Sequence, residues 1–206
     1  MNTPLKRYTT LPFLLHMLHT KELALLSPNS WDDRNDALYI ERYRKKIGLS
    51  SVFALCLTEA EATYHHWKVF AGNSSGICIA FHSEKLVKWA ESKGIRSGLV
   101  DYKSLARARR DPPTLEMLPF RKRHAFRDEK EFRLVYEAKT SSGSAIPFKL
   151  DLDTIDHIVV NPWLSRDVFK SVKASIHAVP ECNSLEVKLS RMLTNKEWAE
   201  MGEDSP

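Results

Sequence analysis

In the run Glu129-Lys130-Glu131-Phe132-Arg133-Leu134-Val135-Tyr136, the apolar residues Phe132 and Leu134 alternate with the charged residues Glu131 and Arg133, which is typical of a β-strand. Successive residues of a strand point to opposite faces of the sheet, so the two glutamates and the arginine Arg133 should share one face. The apolar residues between them mark the opposite face as the core side. The run therefore predicts a strand over 130–136 that turns two carboxylates and a guanidinium toward a cleft or water.

The rest of the chain mixes strand and helix patterns without a repeating βαβ unit and without an internal repeat. Strand patterns occur at 5–9, 23–26, 51–58, 76–81, 98–102, 146–149, 155–160 and 184–190. Helical patterns occur at 11–18, 59–71, 83–93, 165–176 and 195–201, and 31–46 is a loop that leads into a helix. This mixture predicts an α+β fold with a central mixed, mostly antiparallel sheet flanked by helices. We expect a single domain over 1–206, in which 103–128 is a basic, proline-containing excursion and 191–206 is a C-terminal helix and tail.

The composition is that of an ordinary folded protein, with 43% hydrophobic and 28% charged residues. The three cysteines, Cys56, Cys78 and Cys182, form no zinc or disulfide pattern, and the first two lie in apolar runs where a thiol usually behaves as a small buried hydrophobe. An odd number of cysteines without a framework favours a reducing compartment. The sequence has no signal peptide and no apolar run that could span a membrane, so we expect a cytoplasmic protein without a membrane partner.

Positive charge is concentrated between Lys103 and Arg133, a segment that contains ten basic and five acidic residues. A patch of this kind can attract an anionic partner such as a nucleotide, RNA, DNA or an acidic protein. Arg121, Lys122 and Arg123 form its densest run and are the predicted contacts to such a partner. The alternative is that the same charges only solvate a loop and a helix face.

An acidic cluster at Asp32, Asp33 and Asp36 has two interpretations. Three carboxylates within five positions could hold a divalent cation, as a metal-dependent nuclease would require. The same residues are also typical of a helix start, because aspartate caps helix N-termini and complements the helix dipole. We favour the helix start and predict no metal ligand. The sequence also lacks the Gly-rich motifs that cradle phosphates and the nucleophile elbow of hydrolases.

The carboxylates Glu129 and Glu131 are electrostatically tunable, because they repel each other while Arg133 attracts both. A carboxylate in that setting can stabilise a cationic transition state such as an oxocarbenium ion, or bind a ribose hydroxyl. By itself, however, a Glu-x-Glu pair is a weak motif. An exposed strand with ion pairs across it would present the same residues.

Several blocks of the chain, taken in order over about residues 5–190, resemble the bacterial domain of unknown function 2971 family. These blocks are Lys6-Arg7-Tyr8, Ser27-Pro28 with Trp31-Asp32-Asp33-Arg34-Asn35-Asp36, Leu57-Thr58-Glu59, Trp67-Lys68-Val69-Phe70-Ala71, Gly76-Ile77-Cys78-Ile79-Ala80-Phe81, and finally Lys122, Phe126, Glu129, Glu131 and Arg133. Within this frame the chain is similar in layout to ADP-ribosyltransferase domains, which carry a basic residue on a first strand, a Ser, Thr or Tyr on a middle strand and a glutamate on a late strand.

That resemblance implies an ADP-ribosyltransferase fold with a split sheet, NAD as substrate, and a set of residue roles. The catalytic residues would be Glu131, which stabilises the oxocarbenium-like transition state, Glu129, which orients or deprotonates the acceptor, and Thr58, which binds the ribose on the nicotinamide side. The residues that bind NAD would be Arg7, Tyr8, Trp67 and Arg133.

Three functions therefore remain open. The first is an NAD-dependent ADP-ribosyltransferase, a toxin or phage-defence effector with a cognate antitoxin, that acts on nucleic acid or protein. The second is a non-catalytic module that binds nucleic acid or a partner through Arg121, Lys122 and Arg123. The third is a metal-dependent nuclease built on the acidic cluster together with Glu129 and Glu131.

Overall fold

The computed structural model describes residues 3–72, 74–140, 143–194 and 196–203. Its strands are β1 (Leu5–Thr10), β2 (Glu22–Leu26), β3 (Ser51–Thr58), β4 (Gly76–Phe81), β5 (Arg96–Leu99), β6 (Asp101–Lys103), β7 (Arg121–Arg123), β8 (Glu131–Ala138), β9 (Ala145–Lys149), β10 (Ile155–Val160) and β11 (Val187–Leu189). Its α-helices are α1 (Leu11–Thr20), α2 (Arg34–Ile47), α3 (Tyr64–Phe70), α4 (Ser83–Ser92), α5 (Leu105–Arg110), α6 (Arg166–His177) and α7 (Lys196–Glu203). None of the described helices is long and apolar enough to cross a membrane.

Nine of these strands form one sheet, in the order β11-β10-β4-β1-β3-β2-β9, with β8 beside β3 and β5 beside β8. Each pair of neighbours in it is antiparallel except β10 with β11. Strands β6 and β7 form a separate parallel pair. The prediction of an α+β fold with a mixed, mostly antiparallel sheet is therefore confirmed.

Strand β3 sits where the sheet branches. Along one edge it pairs with β8 over its whole length. On its other side it meets β1 only at Thr58, which is opposite Lys6, and β2 only at Ala54, which is opposite Leu26. Within the described residues, β1 and β2 thus share β3 and leave a split between them.

Helices cover both faces of the sheet because β3 and β4 are apolar on both sides. On one face α1 and α4 pack on Leu55 and Ile79 in the main core. On the opposite face α2 packs through Ile40 on Ala54, and α3 packs through Trp67 on Cys78. The two helices on this second face lie over different strands, which leaves a cleft between them above the split.

Local chemistry explains where the structure differs from the predicted elements. Helix α3 begins at Tyr64 rather than at residue 59, because Thr63 and His66 form a capping box. The predicted strand 98–102 is two strands in two sheets, interrupted at Val100, whose amide donates to the carbonyl of Glu131. The excursion contains α5 and the 3-10 helix Leu115–Phe120, and a second 3-10 helix, His124–Glu129, closes it. Of the predicted C-terminal helix and tail, residues 195 and 204–206 lie outside the described residues.

Candidate functional site

The cleft between α2 and α3 has a volume of about 540 Å³, which is within the usual range for a small-molecule site. Its floor is formed by β1, β3 and the start of β8, and its walls by the segment before α2, by α3 and by the 3-10 helix His124–Glu129. The lining residues are Lys6, Tyr8, Trp31, Asp32, Asp33, Asp36, Cys56, Leu57, Thr58, His65, Val69, Phe70, Lys122, Phe126, Glu129 and Glu131. The three predicted catalytic residues, Glu131, Glu129 and Thr58, therefore all line one cleft.

Glu131 is the first residue of β8 and lies opposite Thr58 in the register of β3. Its side chain is 3% exposed. Arg133 donates to both of its carboxylate oxygens, from Nε to Oε1 at 2.6 Å and from Nη2 to Oε2 at 2.9 Å. The prediction that this face of the strand is open to water is thus wrong for Arg133, because α2 covers this residue. Glu131 lies beside α2, where the strand borders the cleft.

Arg133 is fully buried and uses all five of its N–H groups. Besides Glu131, it donates to the two carboxylate oxygens of Asp36 at 2.9 and 2.7 Å and to the carbonyl of Pro119 at 2.7 Å. The ring of Trp31 lies over its guanidinium at 4.8 Å. Arg133 has no N–H left for a nucleotide, so its predicted role in binding NAD is corrected to one of holding carboxylates.

Glu129 does not lie on the strand, contrary to the prediction. It ends the 3-10 helix His124–Glu129, and Lys130 after it adopts a left-handed conformation with φ of 42°, so β8 starts at Glu131. The two carboxylates are nevertheless neighbours, because the ammonium of Lys122 donates to Glu129 at 2.5 Å and to Glu131 at 3.2 Å.

The two glutamates have pKa shifts of opposite sign. Burial by itself would raise the pKa of Glu131, but Arg133 and Lys122 lower it to about 2. Burial raises the pKa of Glu129, with help from the charges of Glu131 and Asp36, and Lys122 opposes the shift only in part. A pair of carboxylates with separated pKa values is the arrangement that lets one stay ionised while the other exchanges a proton.

Thr58 is the last residue of β3, and its hydroxyl is already occupied. It donates to the carbonyl of Glu129 at 2.5 Å and accepts from the amide of Ala60 at 2.9 Å. The structure therefore gives Thr58 a direct part in holding the Glu129 backbone next to Glu131.

Strand alternation decides which residues of β1 reach the cleft. Lys6 and Tyr8 line it, and the ammonium of Lys6 donates to the carbonyl of Ala60 at 2.9 Å. Arg7 is not among the lining residues. It is half-buried, and desolvation, opposed only in part by Cys56, lowers its pKa to about 10.

The aromatic residues of the site divide between the cleft and the core. Tyr8 stacks on His66, with ring centroids 5.6 Å apart, and meets Trp67 edge to face at 5.3 Å. Trp67 is fully buried between α3 and the sheet. Its predicted role as a surface for an NAD ring is therefore corrected, whereas Phe70 and Phe126 do present rings to the cleft.

The basic run of β7 is not the exposed patch that the charge count predicts. Arg121 is buried and pairs with Asp101 at 3.2 Å, and Lys122 pairs with the cleft carboxylates of Glu129 and Glu131. Only Arg123 is exposed, where it lies 3.7 Å from Asp33. Arg121 and Lys122, two of the three predicted contacts to nucleic acid or an acidic partner, are thus paired inside the protein. The run therefore does not form the exposed basic surface that a binding module would need.

The acidic cluster serves the start of α2, as favoured from the sequence. Asp33 is the N-cap and accepts from the amide of Asn35 at 3.0 Å, and Asp36 is buried against Arg133. Among the described residues there is no group of three side chains placed to hold a metal ion.

Cys56 is exposed on the cleft floor, which corrects the expectation of a buried thiol, whereas Cys78 and Cys182 are buried. Protein surrounds the floor, and this desolvation, with the charge of Glu131, raises the pKa of the Cys56 thiol well above its ordinary value. Sequence reasoning also missed Lys6 and the buried partner Asp36. Alternation with Tyr8 could have identified Lys6, but no local signal distinguishes Asp36 from an ordinary helix-start aspartate.

No protein-family model matches the chain, so the resemblance to the domain of unknown function 2971 family is without support from that comparison. No curated protein matches either. Similar solved structures include Thermus sp. 2.9 DarT in complex with carba-NAD+, at 16% identity and a TM-score of 0.46 over 92% of this chain and 96% of that chain. The same protein in complex with ADP-ribosylated ssDNA has 16% identity and a TM-score of 0.45 over 92% and 95%.

Proposed function

We propose that this protein is an ADP-ribosyltransferase that consumes NAD in the cleft between α2 and α3. The observation that carries the proposal is Glu131, an anionic carboxylate at the branch of the sheet with a pKa of about 2. Arg133 and Lys122 keep it charged, and its position on the cleft lining leaves it within reach of a ligand. A fixed negative charge at the floor of a partly apolar cleft stabilises positive charge that develops in a transition state.

The bond that breaks is the glycosidic bond between C1′ of the ribose and the nicotinamide nitrogen. Nicotinamide leaves with the electron pair of that bond as a neutral molecule, and the positive charge of the pyridinium moves to the ribose as an oxocarbenium-like centre. Glu131 stabilises this centre and accepts a hydrogen bond from a ribose hydroxyl. A nucleophilic atom of the acceptor then forms the new bond to C1′ and loses its proton.

Glu129 is suited to take that proton. It lies beside Glu131 across Lys122, and its raised pKa makes it a better base than an ordinary carboxylate. Thr58 fixes the Glu129 carbonyl and so contributes to the placement of both glutamates.

The remaining lining residues fit the rest of a dinucleotide. Lys6 offers the pyrophosphate an ammonium group with one hydrogen bond in use. Tyr8, Phe70 and Phe126 offer aromatic surfaces on which a base or nicotinamide ring can pack. The proposed acceptor is a nucleic acid, RNA or DNA, or a protein. The proposed biological role is that of a toxin or defence effector.

Release of nicotinamide from NAD tests this function. Wild-type protein incubated with NAD should release nicotinamide in proportion to enzyme concentration, and addition of nucleic acid or protein acceptors should increase the rate. If no acceptor gives turnover, and calorimetry detects no NAD binding, the proposal is wrong.

Alkylation of Cys56 should report NAD binding without turnover. Because this thiol lies on the cleft floor, a bound dinucleotide should cover it, and NAD at ten times its Kd should slow labelling by iodoacetamide at alkaline pH about tenfold. Mass spectrometry of the labelled peptide measures the rate. Labelling of Cys182 in unfolded protein is the control, and an unchanged rate at Cys56 under saturating NAD would place the ligand elsewhere.

The pH dependence should identify Glu129 as the base. The raised pKa of Glu129 means that activity should fall, as pH decreases, with a midpoint above the ordinary value of 4.5. Glu131 cannot cause this loss, since its pKa of about 2 keeps it ionised throughout. We expect Glu129→Gln to lower kcat/KM at neutral pH and to abolish the acid limb of the profile. An acid limb that survives in this variant would assign the titration to another group.

A further inference from the structure

Asp36 is a buried carboxylate that the proposed reaction does not use directly. It lies in the first turn of α2, and its side chain is 1% exposed. Its two oxygens accept from Nη1 and Nη2 of Arg133 at 2.9 and 2.7 Å. Burying a carboxylate is costly unless it is paired, so this bidentate contact is what holds Asp36 in place.

Arg133 connects Asp36 to Glu131 through one rigid group. The planar guanidinium donates to Asp36 along one edge and to Glu131 along another, and the carbonyl of Pro119 takes its remaining N–H. Trp31 covers its face. Rotation of the guanidinium would break bonds to both carboxylates at once, so the orientation of Glu131 depends on Asp36.

The same helix start also builds a wall of the cleft. Trp31, Asp32 and Asp33 line the cleft directly before α2, and Asp33 caps that helix. The segment that contacts a bound ligand and the carboxylate that anchors Arg133 therefore belong to one short, continuous piece of chain.

We infer that Asp36 is a positioning residue that acts on the reaction through Arg133, by fixing the orientation of the Glu131 carboxylate toward the ribose. This inference rests on the proposed function and deepens it. Asp36 touches no reacting atom, so its removal should affect the transition state more than the binding of NAD.

Asp36→Asn tests the inference, because it keeps the size of the side chain and removes one acceptor for Arg133. We expect kcat for nicotinamide release to fall about 10- to 100-fold, the size of effect known for outer partners of functional side chains, while KM for NAD changes little. Combined with Glu131→Gln, the substitution should add no further loss, because both changes act on one group. Glu41→Gln is the matched control on the same helix, since Glu41 pairs with Arg44 away from the cleft.

Three results would overturn the inference: kcat of Asp36→Asn within twofold of wild type, a rise in KM alone, or a full additional loss in the Glu131→Gln background. If Asp36→Asn does not fold, the Arg133→Lys variant is used for the same test, because lysine keeps the charge but cannot bridge two carboxylates. We expect its kcat to fall by the same factor, while KM for NAD changes little. A crystal structure of either variant gives a readout that is independent of activity. If Glu131 is displaced in the variant, the inference about Asp36 is supported, and if Glu131 has not moved, the inference is refuted. Failure of wild-type protein to release nicotinamide would count against the proposed function alone.

Discussion

Replacement of Glu131 by glutamine should reduce nicotinamide release by about 100- to 1000-fold while leaving the binding of NAD almost unchanged. The reason is that glutamine keeps the shape and one acceptor oxygen but removes the negative charge that faces the oxocarbenium-like centre. Since that charge develops only in the transition state, its loss should lower kcat rather than affinity. Steady-state kinetics and calorimetry with NAD separate the two effects.

Glu137→Gln provides the matched control for this experiment. Glu137 lies on the same strand, β8, and pairs with Arg96 at 2.7 Å outside the cleft. Folded Glu137→Gln protein should retain wild-type turnover. If Glu131→Gln retains it as well, Glu131 has no catalytic charge role and the proposed mechanism fails.

Arg133→Met should destabilise the fold by about 3–5 kcal/mol, as is usual when one partner is removed from a buried ion network. Methionine fills most of the volume but leaves Asp36 and Glu131 as buried carboxylates without their main donor. Urea denaturation at neutral pH measures the change in the free energy of unfolding.

An exposed ion pair provides the comparison for this variant. Lys170→Met removes the partner of Asp167 on the surface of α6 and should cost at most about 1 kcal/mol. An equally small loss for Arg133→Met would show that the network has little effect on stability.

The pH dependence of stability follows from the same network, with the sign given by the lowered pKa of Glu131. A carboxylate whose pKa is lower in the folded state stabilises the fold above its unfolded pKa, here about 4.5, and loses this contribution as pH falls toward 2. The contribution of Glu131 should therefore be lost through this window, whereas Asp36 and Glu129, whose pKa values burial raises, contribute with the opposite sign. A folded Glu131→Gln variant should lose less, which urea denaturation at several pH values can measure.

The strands that position the site were predictable because their apolar patterns are long and regular. Residues 51–58 and 76–81 were predicted to the residue, whereas a shared site for Thr58 and Glu131 was implied only by the resemblance to ADP-ribosyltransferase domains. Both are continuous apolar runs, which is typical of strands that are buried on both faces, so the local pattern is enough to identify them.

The errors arise where tertiary contacts decide. The left-handed Lys130 makes the strand begin one residue later than the sequence pattern predicts, so Glu129 reaches the cleft from a 3-10 helix. Arg133 looked like an outward-facing cation because its buried acceptors include Asp36, which is 97 residues away in sequence. Local patterns contain no information about which distant carboxylate will cover a charged strand residue.

The difference between Lys6 and Arg7 has a simpler cause. Adjacent strand residues point to opposite faces, and once Tyr8 is placed in the site, Lys6 follows it two residues earlier. The resemblance to ADP-ribosyltransferase domains selected a basic residue on the first strand but not its face.

A crystal structure of the Glu131→Gln variant with NAD tests the central claim most directly, because the slow variant should retain an intact dinucleotide. We predict that NAD occupies the cleft between α2 and α3, with a hydroxyl of the nicotinamide ribose about 3 Å from the side chain at position 131 and the pyrophosphate near Lys6. NAD bound outside this cleft, or bound within it with the nicotinamide ribose facing away from position 131, would contradict the account.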